Sequence, residues 1–207
     1  MHDATELSCR EFAAVLASSE PTPGGGGAAA LVGALAASLS AMVTALTIGR
    51  KKYADVEGEM LALQKTCGDL RLTLLDLVKG DAEGFAPLAA AYGIPKDDPT
   101  RAETLENATL TACEAPLAMM EACCKVIECA EIAAEKGTKM ATSDAACSAS
   151  LAVGALQSAS LNIYINTKSL QDRAAAEALN AKANAMLETY VPRGQAVFAA
   201  VRAGYLG

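Results

Sequence analysis

The sequence predicts an all-α fold: a single domain over residues 1–207, built as an up-and-down bundle of about six long helices. Three observations carry that expectation. No alternating run of β-branched residues is bounded by turns, so nothing reads as a strand. Hydrophobic residues make up 52% of the 207-residue chain, yet aromatics are only 4% and tryptophan is absent. The core must then be assembled from Ala, Leu, Val, Met and Cys, and small side chains with high helix propensity favour closely packed helices. Finally, helix breakers recur at long intervals, with no low-complexity linker and no internal repeat between them.

Taken in order, the first helix is expected over 5–18, stopping before Glu20-Pro21. Pro21-Thr22-Pro23 leads into four glycines, Gly24 to Gly27, and a second helix is expected from there to about Lys52. The third begins near Ala54 and reaches about Gly80, with a further turn or two before Pro87 and Gly93. Ile94-Pro95-Lys96-Asp97-Asp98-Pro99 is a loop, after which Thr100 and Glu103 have the spacing of a capping box. The fourth helix runs to Lys136-Gly137, a C-terminal signal, with a kink expected at Pro116. The fifth opens at Thr142-Ser143-Asp144 and ends near Lys168; the sixth covers about Asp172 to Gly204, with a kink at Pro192.

Residues 28–48 and 145–167 carry no charge. Each stretch could span a bilayer, because ~20 residues at 1.5 Å give roughly 30 Å. Both are rich in Ala, Ser, Thr and Gly, however, and the second contains Gln157, Asn162 and Asn166, which disfavour insertion. They read instead as central helices of a core or an oligomer, with no membrane partner. Their surplus apolar surface predicts a homodimer or larger assembly.

Composition also closes off classes of chemistry. The one histidine is His2, which removes the Ser-His-Asp triad, the Cys-His pair and histidine zinc sites. Acid–base work falls to Asp, Glu, Lys, Tyr or water. A net charge of −7 argues against nucleic acid or an anionic membrane as partner; a local basic pocket stays open. The seven cysteines are odd in number and form no C-x-x-C, so they read as reduced small hydrophobes, with no metal site. Asp3, Glu6 and Glu11 stand where a secretory signal would be basic, and the expected location is the cytoplasm.

Three motifs stand out, each with a plain structural reading beside a functional one. Gly24, Gly25, Gly26 and Gly27 expose backbone N–H groups at the positive end of a helix and favour a binding role over a flexible linker. No Gly-Lys-Ser/Thr follows and no strand precedes, so neither a phosphate-binding loop nor a dinucleotide fold fits. Arg50, Lys51 and Lys52 sit at the predicted end of the second helix, as C-terminal caps or as an anion clamp. Asp144 opens the second uncharged helix, as a cap or as a carboxylate at the mouth of a buried helix, with Asn162 and Asn166 one helical turn apart further along.

Pro-Thr-Pro-Gly-Gly-Gly-Gly-Ala-Ala-Ala, then Gly-Arg-Lys-Lys-Tyr, then Ser-Asp at the head of a late Ala-rich helix ending Asn-Ile-Tyr-Ile-Asn, resembles the formimidoyltetrahydrofolate cyclodeaminase/methenyltetrahydrofolate cyclohydrolase family. The likeness covers nearly the whole chain, in order. It implies an all-helical homodimer with a folate site near the subunit interface, a tetrahydrofolate derivative as substrate and no cofactor. One departure is visible: the family commonly has Ser where this chain has Gly27. Val is common where Cys147 stands, which reads as a neutral core exchange.

Under that resemblance Asp144 would stabilise the methenyl cation and move protons, while Lys51 and Lys52 would bind the glutamate tail. The amides of Gly24 to Gly27 would hold an anionic or carbonyl group, and Asn162 and Asn166 the pterin edge. The absence of a fused formiminotransferase domain favours the cyclohydrolase, hydrolysing 5,10-methenyltetrahydrofolate to 10-formyltetrahydrofolate. The ammonia-releasing cyclodeaminase is the alternative, and a non-catalytic helical interaction protein a second one.

Overall fold

In the computed structural model, which describes residues 3–206, the chain forms six α-helices: α1 (Cys9–Leu16), α2 (Gly25–Thr47), α3 (Glu57–Tyr92), α4 (Arg101–Lys136), α5 (Thr142–Thr167) and α6 (Arg173–Leu206). Short 3₁₀ turns at Ala4–Glu6, Lys51–Val56 and Lys139–Ala141 join them, and there is no strand among the described residues. His2 lies outside the described residues. Helices α2, α3, α4 and α5 pack as a four-helix bundle, and α6 lies against α4 and α5.

The helix ends show where local chemistry outranked the simpler sequence rules. Helix α1 is shorter than expected because a capping box forms at its start: Glu11 N–H donates to Ser8 Oγ and Ser8 N–H to Glu11 Oε2. The box expected at Thr100 and Glu103 does not form. Thr100 has helical dihedrals, and its N–H and hydroxyl both donate to Asp98 Oδ1, at 2.8 and 2.7 Å. Helix α2 stops at Thr47, not Lys52, because Gly49 takes φ +76°, a left-handed conformation that favours glycine and ends helices. Helix α3 runs unbroken through Gly80 and Pro87.

The core is built from small residues that let helices approach. A Cβ on Gly33 of α2 would lie 3.1 Å from Cys123 Sγ on α4 and 3.2 Å from Leu74 Cδ2 on α3. Helices α2 and α5 are locked by a buried pair: Ser148 Oγ donates to the Ala36 carbonyl at 2.7 Å and lies 2.8 Å from Ser40 Oγ. Cys67, Cys113, Cys123, Cys124 and Cys129 are buried and free, and burial pushes the Cys123 and Cys124 thiols up to about 12. Cys9 and Cys147 are exposed. Cys147 is therefore a surface residue of α5, not the core exchange the sequence suggested.

One face of the bundle stays uncovered in the single chain. On α2, Ala28, Val32, Leu35, Leu39, Met42 and Leu46 follow a 4-3-4-3-4 spacing, and none is buried. On α5, Cys147, Leu151, Gly154, Ser158, Leu161 and Ile165 repeat that spacing, all exposed. Two parallel stripes without a charge thus lie side by side, each with the periodicity of a helix-pairing seam. By length and composition alone α2 could cross a membrane, but half of its most apolar window is buried inside the bundle.

Candidate active site

The glycine run is less of a loop than its composition suggests. Gly24 is the N-cap of α2, and Gly25, Gly26 and Gly27 already form its first turn. Glycine is needed at Gly26 for a steric reason, because a Cβ there would overlap the carboxylate of Asp81 on α3. That carboxylate accepts the N–H of Gly27, so the positive end of α2 holds an anion belonging to the protein itself. Burial pushes the Asp81 carboxyl above its ordinary value, with the Gly27 amide pulling partly the other way.

Asp81 faces a cleft of about 250 Å³ whose lining includes Gly24, Gly25, Gly26, Phe85, Tyr92, Asn162 and Asn166. Asp81 is the one carboxylate in that lining. The cleft adjoins a second, of about 510 Å³, which shares Gly25, Asn162 and Ile165 and opens onto the uncovered α2–α5 face. A buried-edge carboxylate, two side-chain amides, a helix N-terminus and aromatic walls thus converge on one concavity. Phe85 and Tyr92 offer flat apolar surface for a ring, and burial, by raising the Asp81 pKa, makes its carboxylate a better proton acceptor than an exposed one.

The two asparagines do different work. Asn162 Nδ2 donates to the Ser158 carbonyl on its own helix, 3.1 Å away, while the residue lines the cleft. Asn166 Nδ2 donates 3.2 Å to the carbonyl of Ala112. That carbonyl would ordinarily receive the N–H of residue 116, which is proline and has none. Asn166 therefore compensates for Pro116 as well as lining the cleft.

Of the residues singled out from sequence, Gly24, Gly25, Gly26, Asn162 and Asn166 line this cleft, with Gly27 buried behind it on the carboxylate. Lys51, Lys52 and Asp144 lie elsewhere. The glycines open α2 and the lysines follow its far end, about 35 Å away along a helix of 23 residues. Asp144 is in the first turn of α5, whereas Asn162 and Asn166 are near its last. The distal end has its own structure: Lys139 N–H donates to Tyr53 Oη at 3.2 Å, and Lys52 Nζ lies 5.7 Å from the Tyr53 ring centre. Thr142 and Ser143 border two further clefts, of about 560 and 630 Å³, beside the last turns of α6. Asp81 was missed because an acidic residue mid-helix reads as solvated surface; only the glycine run, read as room for a neighbour, hinted that a side chain had to fit against it.

Comparison with known proteins gives a consistent result. A family model described as formiminotransferase-cyclodeaminase matches residues 8–185. A methenyltetrahydrofolate cyclohydrolase of Methylorubrum extorquens is 46% identical over 78% of this chain and 80% of its own. A formimidoyltransferase-cyclodeaminase of mouse is 28% identical over 88% of the chain, which spans about a third (35%) of that longer protein. Among solved structures, a formiminotetrahydrofolate cyclodeaminase of Thermotoga maritima superposes with TM-score 0.84 at 30% identity, over 95% of this chain and 98% of that one.

Proposed function

The chain belongs to the formiminotransferase-cyclodeaminase family, and on that premise we propose that it is a methenyltetrahydrofolate cyclohydrolase working at the Asp81 cleft. The observation that carries this reading is the coincidence of the cyclohydrolase likeness with a cleft holding one partly buried carboxylate. The substrate is a cation at its one-carbon bridge. The Asp81 carboxylate favours that cation in a partly water-excluded setting and accepts a proton from the attacking water.

Water oxygen bonds to the bridge carbon and its proton passes to Asp81, giving a neutral carbinolamine between N5 and N10. The carbon–N5 bond then breaks; its electron pair stays on N5, which takes the proton back from Asp81. The hydroxyl becomes the formyl carbonyl on N10 as its proton leaves to water. One carboxylate that can be both base and acid suffices, and a raised pKa suits both roles. Asn162 and Asn166 supply amides for the pterin edge, and Phe85 and Tyr92 surfaces for its rings.

The uncovered stripes of α2 and α5 support a homodimer, because a twofold pairing of this face would bury both seams at once. In such a dimer Lys51, Lys52 and Asp144 reach substrate only as residues brought by the second copy's opposite end. Cyclodeamination is the second reading, favoured by the Thermotoga maritima likeness. It passes through the same carbon, flanked by the same two nitrogens, and expels ammonia. Supplying the purified protein with methenyltetrahydrofolate should bleach its near-ultraviolet absorbance well above the buffer rate. Supplying formimidoyltetrahydrofolate should release ammonia more slowly. Ammonia release without methenyl hydrolysis would assign the cyclodeaminase, and neither activity would refute the folate reading.

A further inference from the structure

The cleft at Asp81 does not end at Tyr92. Tyr92 also borders a cleft of about 220 Å³, lined by Lys96, Asp98, Arg101, Leu105, Glu106 and Thr109 among others. Both lie along α4, where Arg101, Leu105 and Thr109 line the second cleft and Ala112 and Pro116 the first, following one another at helical spacing along a single face. From Pro116 to Arg101 that face runs about 22 Å. Its walls are the end of α3 on one side and the end of α5 with the following turn on the other. Tyr92 thus stands between two clefts along α4, one holding Asp81 and the other holding Lys96 and Arg101 together with the acids Asp98 and Glu106.

The charges at the far end are uneven in their availability. Both carboxylate oxygens of Glu106 are occupied, accepting the N–H groups of Gln171 and Asp172 at 2.8 Å. Asp98 Oδ1 accepts both donors of Thr100. Lys96 and Arg101, in contrast, form no ion pair with any described residue. Arg101 uses only Nε, donating 2.9 Å to the Ile94 carbonyl, which fixes the side chain and leaves its terminal nitrogens free. Two cations without an ion pair, in a chain of net charge −7, offer charge-assisted donors to an anion, beside two acids that keep their charge while their oxygens accept main-chain or threonine donors.

We propose that Lys96 and Arg101 bind the carboxylates of the glutamate tail of a folate whose reacting bridge lies at Asp81, an inference that rests on the folate reading above. The two clefts then set orientation: pterin between Asp81 and the asparagines, tail past Tyr92 to Lys96 and Arg101. This places the tail in the protomer that does the chemistry, rather than on Lys51 and Lys52.

The test compares methenyltetrahydrofolate carrying one or three glutamates, for the wild type, Lys96→Ala, and Lys96→Ala with Arg101→Gln. The expected result is a KM for the triglutamate that rises roughly fivefold per cation removed, less for the monoglutamate, with kcat unchanged. The wild-type preference for the longer tail should also weaken with added salt. Lys96→Ala leaves the Arg101–Ile94 contact in place, so it answers even where the double variant is unstable. Unchanged KM values in an active Lys96→Ala variant, or a tail-length effect that appears only in Lys51→Ala/Lys52→Ala, overturn the inference and leave the folate reading standing. A wild type inert on both substrates overturns both.

Discussion

Asp81 carries a tension between stability and chemistry. Burial raises its pKa in the folded state, so the protonated form is the one the fold prefers. Its contribution to stability is complete below the unfolded-state pKa and is lost as pH rises through the folded one. The ionised carboxylate is therefore disfavoured by the fold, and an amide in its place would relieve that cost. Asp81→Asn keeps the shape and the acceptor for the Gly27 amide and should raise the melting temperature, by about 2–4 °C per kcal/mol relieved. The gain should shrink below the folded pKa, as thermal melts across acid pH would show, and a lower melting temperature at pH 7 would contradict the raised pKa. Gly26→Ala acts on the same contact from the other side. Its Cβ must displace the carboxylate, so kcat should fall at least tenfold while the helix, gaining a better former, stays intact by circular dichroism. Beyond the room the glycine run implies, this was not legible in the sequence, where Asp81 is one of 24 acidic residues and its partner lies on another helix.

At the scale of elements, the α4–α5 contact turns on a missing hydrogen. Pro116 leaves the Ala112 carbonyl without its helical donor, and Asn166 supplies one from α5. Asn166→Ala should cost about 1–3 kcal/mol, the penalty of a buried unsatisfied acceptor. Pro116→Ala in the same background restores a main-chain N–H and should recover much of it, a coupling that a double-mutant cycle by chemical denaturation would read directly. Additive effects would show that Asn166 matters for another reason. Helix existence and order were readable from breakers and composition; the ends were not. Gly49 stood inside a motif of cations and was passed over as a stop, and Thr100 met a better acceptor in Asp98 two residues back. Local rules lost wherever a competing partner lay close by.

Over the whole molecule, the uncharged stretches gave two signals of different strength. That both helices are central was plain from their lack of charge, and each does bury its inner side. That their outer sides keep a 4-3-4-3-4 stripe was visible only once burial separated the two faces. Leu35 and Leu161 are 52% and 66% exposed on those stripes. Leu35→Glu with Leu161→Glu should leave the fold helical but convert the proposed dimer to a monomer by light scattering at micromolar concentration. An unaltered mass would place the subunit contact elsewhere, and a monomeric wild type would remove it. The sequence also gathered residues from both ends of the bundle into one site, because position along a chain does not reveal which end of a helix faces which; within one chain Lys51, Lys52 and Asp144 lie at the end opposite the glycines.

The most direct measurement is therefore a comparison of two carboxylates at opposite ends of the molecule. Methenyltetrahydrofolate hydrolysis would be followed by absorbance for wild type, Asp81→Asn and Asp144→Asn, each checked for folding. Loss of a general base lowers turnover by roughly 10²–10⁴-fold, and Asp81→Asn should show that loss with substrate still bound. Asp144→Asn, a first-turn change that costs only about 0.3–1 kcal/mol of helix-dipole energy, should keep turnover within a few-fold of wild type. A folded Asp81→Asn enzyme with full kcat, or a collapse of activity confined to Asp144→Asn, would contradict the placement of the chemistry at the Asp81 cleft.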